Sequence, residues 1–138
     1  MNRERILVHK TERWLVYTHQ QQGYLGRCVV TARRSLTSLS DMTDEDWLDF
    51  AALTKDYESK IKDVFGATMF NWTCMMNNAY KGGEEPHVHW HVRPRYSKDV
   101  SFQNTIFSDP QFGHHYDRLH NIDIDEATYR AIAEKIKI

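Results

Sequence analysis

The stretch HVHWH, His87 to His91, places three imidazoles at positions i, i+2 and i+4, with Val88 and Trp90 in the gaps. On an extended strand i, i+2 and i+4 project from one face and the residues between them from the other. The segment then has an apolar face that packs and an imidazole face that must meet water or a ligand. Neighbouring imidazoles would stand roughly 6.5–7 Å apart along the strand. The strand is expected from His87 to about Arg93, with Pro94 ending it or sitting at its exposed end.

Working outward, ATMFNWTCMM (67–76) alternates Phe70, Trp72, Cys74 and Met76 with Met69, Asn71, Thr73 and Met75, which is again strand periodicity. NNAYKGGEEP (77–86) is rich in Asn and Gly and reads as a loop, so the two strands are expected to form an antiparallel hairpin. Upstream, RWLVYT (13–18) and RCVVTA (27–32) read as strands joined by a Gly-punctuated turn. Between these pairs lies a long helix. Thr43 and Asp46 form a variant capping box, and Asp44, Glu45 and Asp46 suit the positive end of the helix dipole. Trp47, Phe50, Leu53, Tyr57, Ile61 and Val64 recur at steps of three or four, and Gly66 stops the helix. SDPQFGHHYDRLHN (108–121) is expected to be an ordered loop. A shorter helix follows, with Ala127, Tyr129, Ile132 and Ile136 on its apolar stripe. Strand pairs around a helix predict an α+β domain.

Composition narrows the function classes. The chain has 138 residues, the size of one domain spanning 1–138, and a formal net charge of −1. That balance excludes a broad nucleic-acid-binding surface, which needs a basic excess, but not a small anionic ligand. No apolar run approaches the roughly 20 residues of a membrane span. The N-terminal MNRERILVHK lacks the apolar core of a signal peptide, so a cytoplasmic location is expected. Cys28 and Cys74 form neither a metal-ligand spacing nor a disulfide framework.

The imidazole row admits three uses. In nucleophilic catalysis, the middle histidine, His89, feels charge repulsion from both neighbours, which keeps it neutral, so that its lone pair can attack phosphorus. A flanking histidine would then bind the phosphoryl oxygens and stabilise developing charge. In a zinc site, two residues of the row reach one ion, whereas the third at i+4 is far from it on a straight strand. In the bland reading the row is surface histidine on an exposed sheet face. Among the neighbours, Arg33–Arg34, Arg93 and Arg95 suit phosphate by their planar fork of donors. Each of these arginines is also an ordinary strand-end charge. Gly83 allows a close backbone approach to phosphate.

PHVHWHVRPRY resembles the signature of the histidine triad superfamily, His-φ-His-φ-His-φ-φ with φ hydrophobic. YLGRCVVTARRSLTSLSDMTDEDWLDF and FNWTCMMNN are similar to the family's preceding strands and long helix, so the resemblance covers about residues 13–96. It implies a five-stranded antiparallel sheet with one long and one shorter helix, commonly paired into a homodimer. It also implies hydrolysis or nucleotidyl transfer at the α-phosphate of a dinucleoside polyphosphate, a nucleoside phosphoramidate or a nucleotidyl sugar. His89 matches the nucleophile, His87 and His91 the flanking pair, and Asn77 the position of a substrate-touching Asn or Gln. No cofactor is required, with room for a divalent metal. Two departures stand out. Ser35 occupies the place of a fourth histidine, after Ala32-Arg33-Arg34, and Glu84 stands in the loop before the triad. His114, His115 and His120 lie beyond the match. These departures leave open a nucleotide-binding module with reduced catalysis, and a zinc hydrolase built on the same row.

Overall fold

The computed structural model describes residues 3–138. Residues 1 and 2, which the single-domain expectation includes, lie outside the described residues. The elements in chain order are β1 (Leu7–Lys10), β2 (Trp14–Thr18), β3 (Cys28–Ala32), α1 (Asp44–Phe65), β4 (Met69–Thr73), α2 (Asn77–Gly82), β5 (His89–Arg95), β6 (Val100–Phe102), β7 (Thr105–Phe107) and α3 (Glu126–Ile136). The five-stranded sheet has the order β1-β2-β3-β5-β4, every neighbouring pair antiparallel. β6 and β7 form a separate hairpin. No helix among the described residues is long and apolar enough to cross a membrane.

The register explains why the triad strand lies inside the sheet, paired on both edges. β5 pairs with β3 from Thr31↔His89 to Cys28↔Val92. On its other edge it pairs with β4 from Thr73↔His91 to Met69↔Arg95. Pro94 lies inside this strand and is buried, contrary to the expected position at its end. The Thr68 N–H donates to the Arg95 carbonyl, so Arg95 faces β4 and Pro94, one residue earlier, turns its nitrogen toward β3. Pairing with β3 has ended at Val92, so no ladder hydrogen bond is missing there.

α1 forms where its local signals place it. The Thr43 hydroxyl accepts from the Asp46 N–H, the Asp46 carboxylate accepts from the Thr43 N–H, and Gly66 closes the helix in the left-handed region at φ 73°. Its buried stripe is Phe50, Leu53, Tyr57, Ile61 and Phe65. Trp47 is 40% exposed, and Phe65 takes the place expected of Val64. On α3 the buried set is Thr128, Tyr129, Ile132, Ala133 and Ile136, with Ala127 exposed. α3 docks beside β1 and β2: the Tyr129 hydroxyl donates to the Glu4 carbonyl, and the Ile138 N–H to the Val8 carbonyl. The core therefore lies between the helices and one face of the sheet, containing Trp14, Val16, Cys28, Val30, Val88 and Val92. The opposite face carries the imidazoles.

Asn77–Gly82, expected as loop, is a short helix. Met76 adopts φ 55° and turns the chain from β4 into it. β1 and the β6–β7 hairpin were not anticipated; their strands are three or four residues long, too short for a clear alternation.

Asp46 ties α1 to the sheet as well as capping it, because both Arg13 and Arg34 donate to its carboxylate. The Arg34 guanidinium and the Thr43 N–H hold this carboxyl well below the usual carboxylate range. A depressed carboxyl stabilises the fold fully above its unfolded pKa of about 4 and loses that contribution as pH falls below it. Asp46→Ala is expected to cost about 1–2 kcal/mol near neutral pH. Urea titrations at stepped pH should show the gap to wild type full at pH 6 and narrowing below pH 4. A gap independent of pH contradicts this role.

Candidate active site

The strand alternation carries five side chains to one face of the chain: His87, His89, His91, Arg93 and Arg95. Behind them Val88 and Val92 are fully buried, and Trp90 stacks on Phe50 of α1 with ring centroids 4.9 Å apart and planes at 27°. Phe50 also meets Trp14 at 5.1 Å and Trp72 at 5.6 Å. This aromatic cluster presses the rear of β5 against the helix and leaves the imidazoles forward.

Backbone carbonyls set two of the tautomers. His87 Nε2 stands 2.8 Å from the Ala32 carbonyl, and His89 Nδ1 stands 2.8 Å from the His87 carbonyl. A carbonyl only accepts, so each of these nitrogens carries the proton. The Nε2 of neutral His89 is then left with its lone pair. His87 lies just before β5 and is pinned to the end of β3. It orients His89 through its backbone, while its own ring is anchored elsewhere. The His89 and His91 rings meet edge-on at 5.4 Å. The His91 pKa is lowered to about 4, first by burial and then by Arg27 and His89. His91 Nδ1 is buried without a hydrogen-bond partner. His19, at the end of β2, stands 5.9 Å from His91, its pKa lowered to about 3 by burial and then by Arg27.

His89 and His91 line a cleft of about 270 Å³. Thr73 and Asn77 border it on one side, Arg27 and Arg93 on another, and Tyr116 and Arg118 close it from the tail loop. Among the described residues, no Asp or Glu lines it. A smaller set, Arg5, Tyr17, Val29 and Thr31, flanks His89 on the opposite side.

Of the residues anticipated from the sequence, His89, His91 and Asn77 meet in the cleft and His87 supports it. Arg33, Ser35 and Gly83 do not line it. Arg33 is exposed and donates to the Thr11 carbonyl at 2.8 Å. Ser35 is exposed beyond the end of β3 and lines no part of the cleft; the β3 residues paired with the triad are Thr31, opposite His89, and Val29, opposite His91, while Arg27 reaches the cleft from just before the strand. The Gly83 N–H caps α2 by donating to the Ala79 and Tyr80 carbonyls, which leaves it none for a phosphate. Glu84 is exposed and outside the cleft. His115 and His120 bond to loop carbonyls, His115 Nδ1 to Tyr116 and His120 Nε2 to Gly23 and Ser108. Neither these two nor His114 lines the cleft.

Arg95, expected as a solvated charge, is only 1% exposed. It makes a two-pronged pair with Asp109 at 2.7 and 3.0 Å and donates to the His114 and Gln111 carbonyls. That clamp, with the Tyr24 hydroxyl accepting from the Asp117 N–H, positions the loop carrying Tyr116 and Arg118. Strand alternation alone places Arg93 on the imidazole face. Arg27 requires the β3–β5 register, and Tyr116 and Arg118 require the path of an aperiodic loop.

The zinc arrangement fits poorly. His87 Nε2 and His89 Nδ1 face carbonyl oxygens, and among the described residues no three His, Cys, Asp or Glu side chains converge as a metal site.

The family model described as HIT domain matches residues 2–98. An asymmetrical bis(5′-nucleosyl)-tetraphosphatase of Schizosaccharomyces pombe is 27% identical over 84 residues, which is 61% of this chain and 46% of that enzyme. The match thus spans about half the length of that curated relative. A histidine triad (HIT) protein from Sinorhizobium meliloti superposes with a TM-score of 0.72 at 15% identity, covering 96% of this chain and 87% of that one. A hypothetical histidine triad nucleotide-binding protein from Sulfolobus tokodaii gives 0.68 at 16% identity, over 96% and 81%. At these identities the likeness to the solved structures is one of fold.

The geometry fixes protonation states that NMR reads directly. Nitrogen-resolved imidazole spectra should show His89 protonated at Nδ1 and His91 titrating near pH 4. The unfolded chain takes up the His91 proton first, so this group lowers stability as pH falls from about 6.5 to 4. A His91 midpoint near 6.5, or a His89 protonated at Nε2, contradicts the arrangement.

Proposed function

The chain belongs to the HIT domain family, and on that footing we propose that it is a nucleotide hydrolase or nucleotidyl transferase working at the α-phosphate through His89. The observation that carries this reading is the 2.8 Å contact from His89 Nδ1 to the His87 carbonyl, which leaves Nε2 as a free lone pair at the mouth of a cationic cleft.

The Nε2 lone pair attacks the α-phosphorus. A P–N bond forms, the bond from phosphorus to the leaving group breaks, and its electron pair departs with that group. The imidazole becomes cationic while it keeps its Nδ1 proton, and the His87 carbonyl stabilises that charge. Water, or another acceptor, then attacks the same phosphorus and the P–N bond breaks. His89 returns to its neutral form and the attacking oxygen loses its proton to solvent. His91 beside it stays neutral and offers its single N–H to a phosphoryl oxygen. Asn77 contributes a side-chain amide from the rim. The proposed chemistry requires no cofactor.

The asymmetrical tetraphosphatase relative supports a phosphoric-anhydride substrate over other classes. We extend the reading to a homodimer: β4 is a free sheet edge carrying exposed Met69. Light scattering at micromolar concentration should give twice the chain mass, and a monomer mass contradicts the pairing.

His89→Asn is expected to lower kcat/KM on a dinucleoside polyphosphate by about 10⁴-fold or more, as loss of a nucleophile does, with an unchanged thermal melt. Full activity in this folded variant overturns the assignment. Tight nucleotide binding by wild type without turnover of any substrate would reduce the protein to a binding module.

A further inference from the structure

Arg27 and Arg93 stand beside His91 at 6% and 7% exposure. A buried guanidinium normally faces a carboxylate, as Arg95 faces Asp109. Among the described residues neither Arg27 nor Arg93 forms an ion pair, and the Nε of each is buried without a hydrogen-bond partner. The Tyr116 ring lies under the Arg93 guanidinium, 3.9 Å from centroid to carbon. It holds the plane and offsets part of the desolvation, but it supplies no anion. The exposed Arg118 borders the same cleft, and no acid among the described residues lines it. The two buried cations also disfavour each other: burial and then Arg93 lower the Arg27 pKa to about 9.

Three guanidiniums are more positive charge than one α-phosphoryl group, with a single negative charge in a diester, can balance. They lie on the His91 and Arg93 side of His89, continuing the imidazole row toward the tail loop. The departing group of a polyphosphate leaves as an anion and needs no proton. An amine leaving from a phosphoramidate needs one, and the cleft offers no carboxyl to give it.

We infer that Arg27, Arg93 and Arg118 form a cradle for the phosphates beyond the α-phosphorus. The substrate is then a nucleoside or dinucleoside polyphosphate whose leaving group carries at least two further negative charges. This specificity rests on the reading of His89 as the nucleophile; the anion cradle itself does not. When the Pα–O bond breaks, its electron pair passes to the oxygen of the β-phosphate, and the arginines neutralise the charge that appears there.

Calorimetric titration with inorganic tripolyphosphate tests the cradle without turnover. Wild type should bind it, and Arg93→Gln and Arg118→Gln should each bind about tenfold more weakly, the loss of one charge-assisted contact. Arg118→Gln sits on the surface and keeps the test decisive if the buried variant fails to fold. In parallel, the ratio of kcat/KM on a dinucleoside tetraphosphate to that on an adenosine phosphoramidate should fall about tenfold in each variant. Absence of tripolyphosphate binding by wild type overturns the cradle, as does an equal loss on both substrates. Tripolyphosphate binding that weakens in the variants, with neither substrate turned over, supports the cradle and overturns the hydrolase reading instead.

Discussion

Trp90 lies flat on Phe50 of α1, and the remaining geometry of the site follows from that contact. A stacked aromatic pair adds about 0.5–1.5 kcal/mol beyond the burial of its area. Here it also does something positional. Side chains alternate along a strand, so fixing Trp90 on the helix side fixes His89 and His91 on the other. A slip of one residue would bury imidazoles against α1 and expose Val88, Trp90 and Val92. Trp14 of β2 and Trp72 of β4 hold Phe50 from two further directions, which adds to the cost of the slip.

The same row that performs the chemistry also anchors the loop that closes the site. His87 ties the start of the strand to β3, and its carbonyl sets the tautomer of His89. Arg95, at the other end, binds Asp109 and two loop carbonyls and so brings Tyr116 over Arg93. The cleft is therefore assembled from four sources: the triad strand, the start of β3, the turn from β4 into α2 and an aperiodic tail. Its positive charge arises because two of those sources bury arginines without acids.

Much of this was legible in the sequence where the signal is local. The capping box of Thr43 and Asp46, the stop at Gly66, the β2–β3 pair and the alternation of the triad all reside within a few residues of chain. Features that depend on long-range register were not legible. Arg27 meets the triad only because Cys28 pairs with Val92, and nothing near Arg27 in the chain says so. Ser35, past the opposite end of the same strand, was expected in the site from the family pattern, and it stands exposed outside the cleft. Asn77–Gly82 has the Asn and Gly content of a loop but closes a single short helix, below the length at which periodicity is visible. Tyr116 and Arg118 belong to a loop held by Arg95, whose burial no composition rule reveals.

The central claim is that His89 forms a bond to phosphorus. Two successive in-line displacements restore configuration, whereas a single direct attack by water inverts it. The decisive measurement is the stereochemical course at the α-phosphorus, followed with a nucleotide chiral at that atom by phosphorothioate and labelled oxygen. Net retention is the predicted result; net inversion would contradict the account.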